Sequence, residues 1–115
     1  MKAAAFSHAI ELNKELINQG LLHTGQHYSH DMSGRFQEEL QLPKIDIQLH
    51  VDGDVCLRMG QMMKGVSDAI AKVEPDAVVV FGDTDSTLAA ALAASRAQVP
   101  VVHVEAGLRS FDRRM

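Results

Sequence analysis

The chain has 115 residues, is 46% hydrophobic and carries a formal net charge of −4. That composition describes a folded chain that buries a core as one domain or part of one, and it excludes a disordered polypeptide. It supplies no basic stripe for nucleic acid, no apolar run long enough to span a bilayer and, with Cys56 as the sole cysteine, no internal disulfide.

Taken in chain order, the apolar period switches repeatedly. Phe6, Ala9, Ile10, Leu16 and Ile17 fall on one helical face, and Gly20 supplies a C-terminal stop. Glu11, Lys14 and Glu15 interrupt this segment too early for a signal peptide, so the expected location is the cytoplasm. Leu21-Leu22-His23-Thr24 reads as a short strand ending at Gly25. Ser29 or Asp31 caps a second helix running toward Leu40 and stopping near Pro43. Ile45–Leu49 alternates as a strand near a sheet edge does, and Asp52-Gly53-Asp54 offers a turn and an N-cap. A long helix follows with Val55, Met59, Met62, Met63, Val66, Ile70 and Val73 on one stripe, until Pro75 and Asp76 break it.

The remaining stretch carries the strongest signal. Two apolar runs, Ala77–Phe81 and Val99–Val104, each end in a glycine-bearing acidic turn, Gly82-Asp83 and Glu105-Ala106-Gly107. An Ala-rich segment of helical length separates them, the pattern of a βαβ unit with parallel strands. The expected fold class is therefore α/β, a Rossmann-like, mostly parallel sheet with helices on both faces. Parallel strands deliver their C-terminal turns to one sheet edge, where open α/β sheets bind ligands. Asp83 and Glu105 should face one crevice there, as a candidate acid/base pair.

Each constellation also has a purely structural reading. Asp83-Thr84-Asp85-Ser86-Thr87 stands where a helix starts, so capping accounts for Asp85 and competes with a site role for Asp83. Gly82 and the crowd of hydroxyls favour an anion at that terminus. For Glu105 the structural alternative is a salt bridge to Arg109 or Arg113, and the site reading is favoured because charged residues at strand carboxyl ends line ligands. His103 reads as a buried, hydrogen-bonded histidine. His23, His27 and His30 lack the cysteine or clustered carboxylate of a metal site, so no metal is assigned. No dinucleotide or Walker-type glycine motif is present.

The strings Thr24-Gly25-Gln26-His27, Pro75-Asp76 … Gly82-Asp83-Thr84 and His103-Val104-Glu105-Ala106-Gly107-Leu108-Arg109 together resemble the non-hydrolysing UDP-N-acetylglucosamine 2-epimerases. The resemblance implies a GT-B enzyme of two Rossmann-like domains, with residues 1–115 forming part of the N-terminal one. On this likeness the first strand and the C-terminal domain are missing. It implies interconversion of UDP-N-acetylglucosamine (UDP-GlcNAc) and UDP-N-acetylmannosamine (UDP-ManNAc) by elimination and re-addition of UDP, with no cofactor and no metal, in a homodimeric full-length enzyme. Asp83 and Glu105 match family carboxylates implicated in catalysis and substrate binding. Lys2 falls in register with the lysine after the family's Gly-Thr-Arg-Pro-Glu-type turn, and Arg109 closes the third motif; both are implied substrate-binding residues. Gln26 matches a glutamine that some members use toward a second, activating UDP-GlcNAc, and Gln61 stands where those members use an arginine. A further family glutamate and the second-domain residues have no counterpart, so the 115-residue chain is expected to be inactive alone.

Two rival readings come from other classes. Asp83-Thr84-Asp85-Ser86-Thr87 after an apolar strand also spells the nucleophile motif of haloacid-dehalogenase-type, Mg²⁺-dependent phosphatases. The other is a non-catalytic remnant that only binds a nucleotide sugar.

Overall fold

The computed structural model describes residues 2–25 and 47–114, except for the Lys2 side chain. Helix α1 spans Lys2–Glu11, β1 Leu22–His23, β2 Ile47–Gln48, α2 Val55–Val73, β3 Val78–Phe81, α3 Asp85–Arg96 and β4 Val101–Val104. The second helix expected before Pro43, together with Gln26, His27 and His30, lies outside the described residues.

The strands form two parallel pairs, β1 with β2 and β3 with β4. In the second pair Val78 registers with Val101 and Phe81 with Val104, and α3 is the crossover between them. This is the expected βαβ unit. Its helix begins at the N-cap Thr84, whose hydroxyl accepts from the Thr87 N–H at 3.4 Å. Helix α2 is capped by Asp54, which accepts from the Leu57 N–H at 2.9 Å, and closes on Glu74 in the left-handed region at φ 53°. Both ends of α2 therefore fall where the Asp52–Asp54 turn and the Pro75 break set them.

The core is the α2–α3 contact seated on the strands. Val66 and Ile70 of α2 meet Ala93 and Ala94 of α3, with Leu22, Leu49, Val78, Ala90 and Val99 packed around them. Alanines on α3 let the two helices approach closely, which explains the Ala-rich composition better than helix propensity does. Among the described residues Met62 is the largest fully buried side chain, so of the methionine stripe Met62 is core while Met59 and Met63 are half-buried. Val55 and Val73, at the two ends of the same stripe, are exposed.

Helices lie against both faces of β3, whereas Val101, Val102 and His103 of β4 are exposed. Successive strand residues point to opposite sides. Val78 joins the α2–α3 cluster, whereas Phe81 meets Phe6 of α1 edge-on, with ring centroids 5.8 Å apart. The first helix is shorter than its apolar spacing suggests. It ends at Glu11 and passes into turns, leaving Leu16 85% exposed and Ile17 47% exposed. The Asn13 carbonyl accepts there from the N–H groups of Leu16 and Ile17, so Gly20 ends no helix.

Candidate active site

The rim at the carboxyl ends of β3 and β4 is built by register. One step beyond the Phe81–Val104 pair, Gly82 stands beside Glu105, and the Gly82 N–H donates to the Val104 carbonyl at 3.0 Å. Asp83 follows immediately. Both carboxylate-bearing residues are exposed and emerge from adjacent parallel strands at the same edge. The register therefore brings both residues to one sheet edge, and neither is sealed in the core.

Capping does not account for Asp83. The cap is Thr84, and Asp85 is the first helical residue rather than the N-cap the sequence suggested. Asp85 still complements the helix dipole there. The hydroxyls behind the rim form a structural chain. Thr87 donates to the Phe81 carbonyl at 2.5 Å, and its oxygen lies 3.2 Å from that of Thr84. Because the Thr87 proton is committed to the carbonyl, the Thr84 hydroxyl donates to Thr87. Thr87 is buried, so this chain fixes the start of α3 to the end of β3. Ser86 is used differently: its hydroxyl lies 2.6 Å from that of Thr24, tying the first ladder's turn to α3.

Glu105 occupies the left-handed region at φ 64°. Glu74 and Gln98 do so as well, but they follow the last turns of α2 and α3, where such a conformation ends helices. Glu105 instead stands in the turn that follows β4, and Phe111, in the exposed segment beyond it, shares the conformation at φ 60°. His103 corrects the sequence reading. It is hydrogen-bonded as expected, but exposed rather than buried, with Nε2 donating to the Gly82 carbonyl at 2.6 Å.

The other implied residues divide. Arg109 turns back on its own loop, Nη1 donating to the Ala106 and Leu108 carbonyls at 2.7 Å each. Lys2 is the first residue of α1. Gln61 accepts from the Asp52 N–H at 2.7 Å and so holds the turn before α2. The histidine group expected to bind no metal is represented by His23, whose Nδ1 accepts from the Gly25 N–H and from Gln48 Nε2, both at 3.1 Å. A backbone N–H can only donate, so His23 Nδ1 is a bare acceptor. Among the described residues no three His, Cys, Asp or Glu side chains gather as metal ligands, and no helix is long and apolar enough to cross a membrane. Sequence reasoning missed the His103–Gly82, Thr24–Ser86 and His23–Gln48 contacts. Only the concentration of hydroxyls and histidines before glycines hinted at them.

The family described as UDP-N-acetylglucosamine 2-epimerase matches residues 10–115. The chain belongs to this family. It is 47% identical to the UDP-2,3-diacetamido-2,3-dideoxy-D-glucuronate 2-epimerase of Pseudomonas aeruginosa, over all of this chain and 32% of that protein. It is 46% identical to a UDP-N-acetylglucosamine 2-epimerase of Methanocaldococcus jannaschii, over 90% of this chain and 29% of that one. The crystal structure of the Methanocaldococcus jannaschii UDP-GlcNAc 2-epimerase in complex with UDP-GlcNAc and UDP superposes with a TM-score of 0.91 at 43% identity. It covers 99% of this chain, which matches 31% of that one. The chain thus spans about a third of the length of the relatives it matches. The fold class is that of these GT-B-type epimerases, α/β with parallel strands, as read from the sequence. The Asp83–Thr87 string lies inside the match to this family, which is not a phosphatase family.

Proposed function

We propose that this chain is the part of a non-hydrolysing UDP-N-acetylglucosamine 2-epimerase that carries two of its acid/base carboxylates, Asp83 and Glu105. The observation that supports the reading most is their exposure at one edge of adjacent parallel strands, inside a chain of this family. In the proposed reaction a base removes the C2 proton while the C1–O bond to UDP breaks, giving a 2-acetamidoglucal and UDP. A proton then returns to the opposite face of C2, and UDP adds back at C1. Atoms balance without any oxidant, metal or nicotinamide. Inversion requires a proton-transfer group on each side of the ring, and two carboxylates from neighbouring strands suit that demand. The N-terminus of α3 would add a favourable field for the departing diphosphate.

On this reading Lys2, Gln26 and Arg109 bind substrate. The two ladders are halves of one N-terminal Rossmann-like sheet with a further strand seated between β1 and β3, and a second domain closes the cleft. The working enzyme is a cytoplasmic homodimer, and residues 1–115 alone turn nothing over. A second substrate deserves the same assay, because the relative 47% identical over all of this chain is named for a 2,3-diacetamido glucuronate nucleotide.

A chimera tests the proposal. This chain would replace the matching N-terminal segment of the Methanocaldococcus jannaschii enzyme, and UDP-ManNAc would be measured from UDP-GlcNAc by chromatography. Turnover by the chimera and none by the isolated chain is expected. A folded chimera that binds UDP-GlcNAc without turnover would favour the non-catalytic remnant, and conversion of only the diacetamido sugar would move the substrate.

A further inference from the structure

We infer that His103 is a positioning residue, which fixes the peptide plane carrying Asp83 against the strand that carries Glu105. Its purpose rests on the acid/base reading of those carboxylates; its geometry does not. Gly82 is tied to β4 twice, by its N–H to the Val104 carbonyl at 3.0 Å and by its carbonyl to His103 Nε2 at 2.6 Å. The second bond comes from a side chain registered with Val80, reaching along the strand past the last ladder pair. A carbonyl only accepts, so Nε2 bears the proton.

The consequence follows from peptide planarity. The Gly82 carbonyl and the Asp83 N–H share one rigid plane, so holding the oxygen orients the bond leading to the Asp83 Cα. Gly82 sits at φ +72°, a region open to glycine at little steric cost, and among the described residues a Cβ there would meet no atom within 4 Å. Among the described residues no atom stands near where that Cβ would lie, so no side chain packs there to hold the turn. The imidazole supplies that hold from the side, two residues before Glu105, which follows the same strand. His103 is exposed, as Val101 and Val102 beside it are, and the bond to Gly82 is the contact its ring makes on this edge.

The test uses the whole 115-residue chain. Long-range ¹H–¹⁵N spectra in mildly alkaline buffer report which ring nitrogen of His103 holds the proton. A proton on Nε2 is expected; a bare Nε2 with the proton on Nδ1 would overturn the inference. His103→Leu, which removes the donor, should displace the amide signals of Gly82, Asp83 and Thr84 by more than a linewidth. His103→Gln, which keeps an N–H donor at similar reach, should bring them back toward the parent positions. Unmoved signals in the leucine variant, or no recovery with glutamine, would refute the assignment. Should the leucine variant fail to fold, the parent's tautomer still decides. Because no turnover is read, failure here is separate from failure of the proposed reaction.

Discussion

Two glycine turns end the first strands of the two ladders, Gly25 after β1 and Gly82 after β3. Their backbones are nearly the same, at φ +77° and φ +72°, so both demand glycine on conformational grounds. Their surroundings differ. A Cβ on buried Gly25 would sit 2.6 Å from the Leu49 carbonyl oxygen, whereas one on Gly82 would meet nothing within 4 Å among the described residues. One glycine lets two pieces of backbone pack; the other leaves an open rim beside Asp83. The same letter in a sequence thus marks a packing constraint in one ladder and an accessible edge in the other.

Substitution separates the two most sharply at Gly25. Gly25→Ala combines left-handed strain with a backbone clash, and it should lower stability by roughly 2–5 kcal/mol in urea melts. Gly82→Ala meets only the conformational cost and should lose about 1–2 kcal/mol. Equal losses at the two sites would erase the contrast. Thr84→Ala removes the cap of α3 behind the open rim, with an expected loss of about 1 kcal/mol by the same melts.

The smallest effect lies beyond the rim. Arg114 binds the Asp112 carboxylate through Nε at 3.0 Å and Nη2 at 2.8 Å. That guanidinium, and then the Arg114 backbone N–H, hold the Asp112 carboxyl below its ordinary range. A depressed folded value contributes stability above the unfolded pKa and loses it as pH falls through the folded one. On so exposed a pair the contribution is slight. Arg114→Gln should raise the Asp112 titration toward the ordinary carboxylate value by carboxyl ¹³C NMR, with no measurable change in the urea midpoint.

Much of this architecture was legible in the residues. Val78–Phe81 and Val101–Val104 are short β-branched runs closed by glycine turns, and a twelve-residue Ala-rich segment between them leaves a parallel crossover as the simple solution. Asp54 and Pro75 bracketed α2 for equally local reasons. The failures occurred where local signals yield to contacts distant in sequence. Leu16 and Ile17 continue the helical period of α1, yet the chain leaves the helix at Glu11 and periodicity carries no account of that departure. His103 alternates as a core residue would, but its ring is spent on a carbonyl 21 residues earlier. Asp83 and Asp85 both resemble caps, and Thr84 between them takes the role because it alone places an oxygen on the Thr87 N–H. For the proposed site, residue type and strand-end position pointed to Asp83 and Glu105, whose shared edge the register of β3 and β4 shows. The two hydrogen bonds that tie Gly82 to β4 were invisible without register.

The central claim is that Asp83 and Glu105 serve opposite faces of one sugar carbon. It is tested most directly by following solvent deuterium into C2 of UDP-GlcNAc in the chimera, with Asp83→Asn and Glu105→Gln compared with the parent. The account predicts ready incorporation by the parent and a loss of about 10²–10⁴-fold in each variant. A variant at either position that incorporates deuterium at the parent's rate would contradict it.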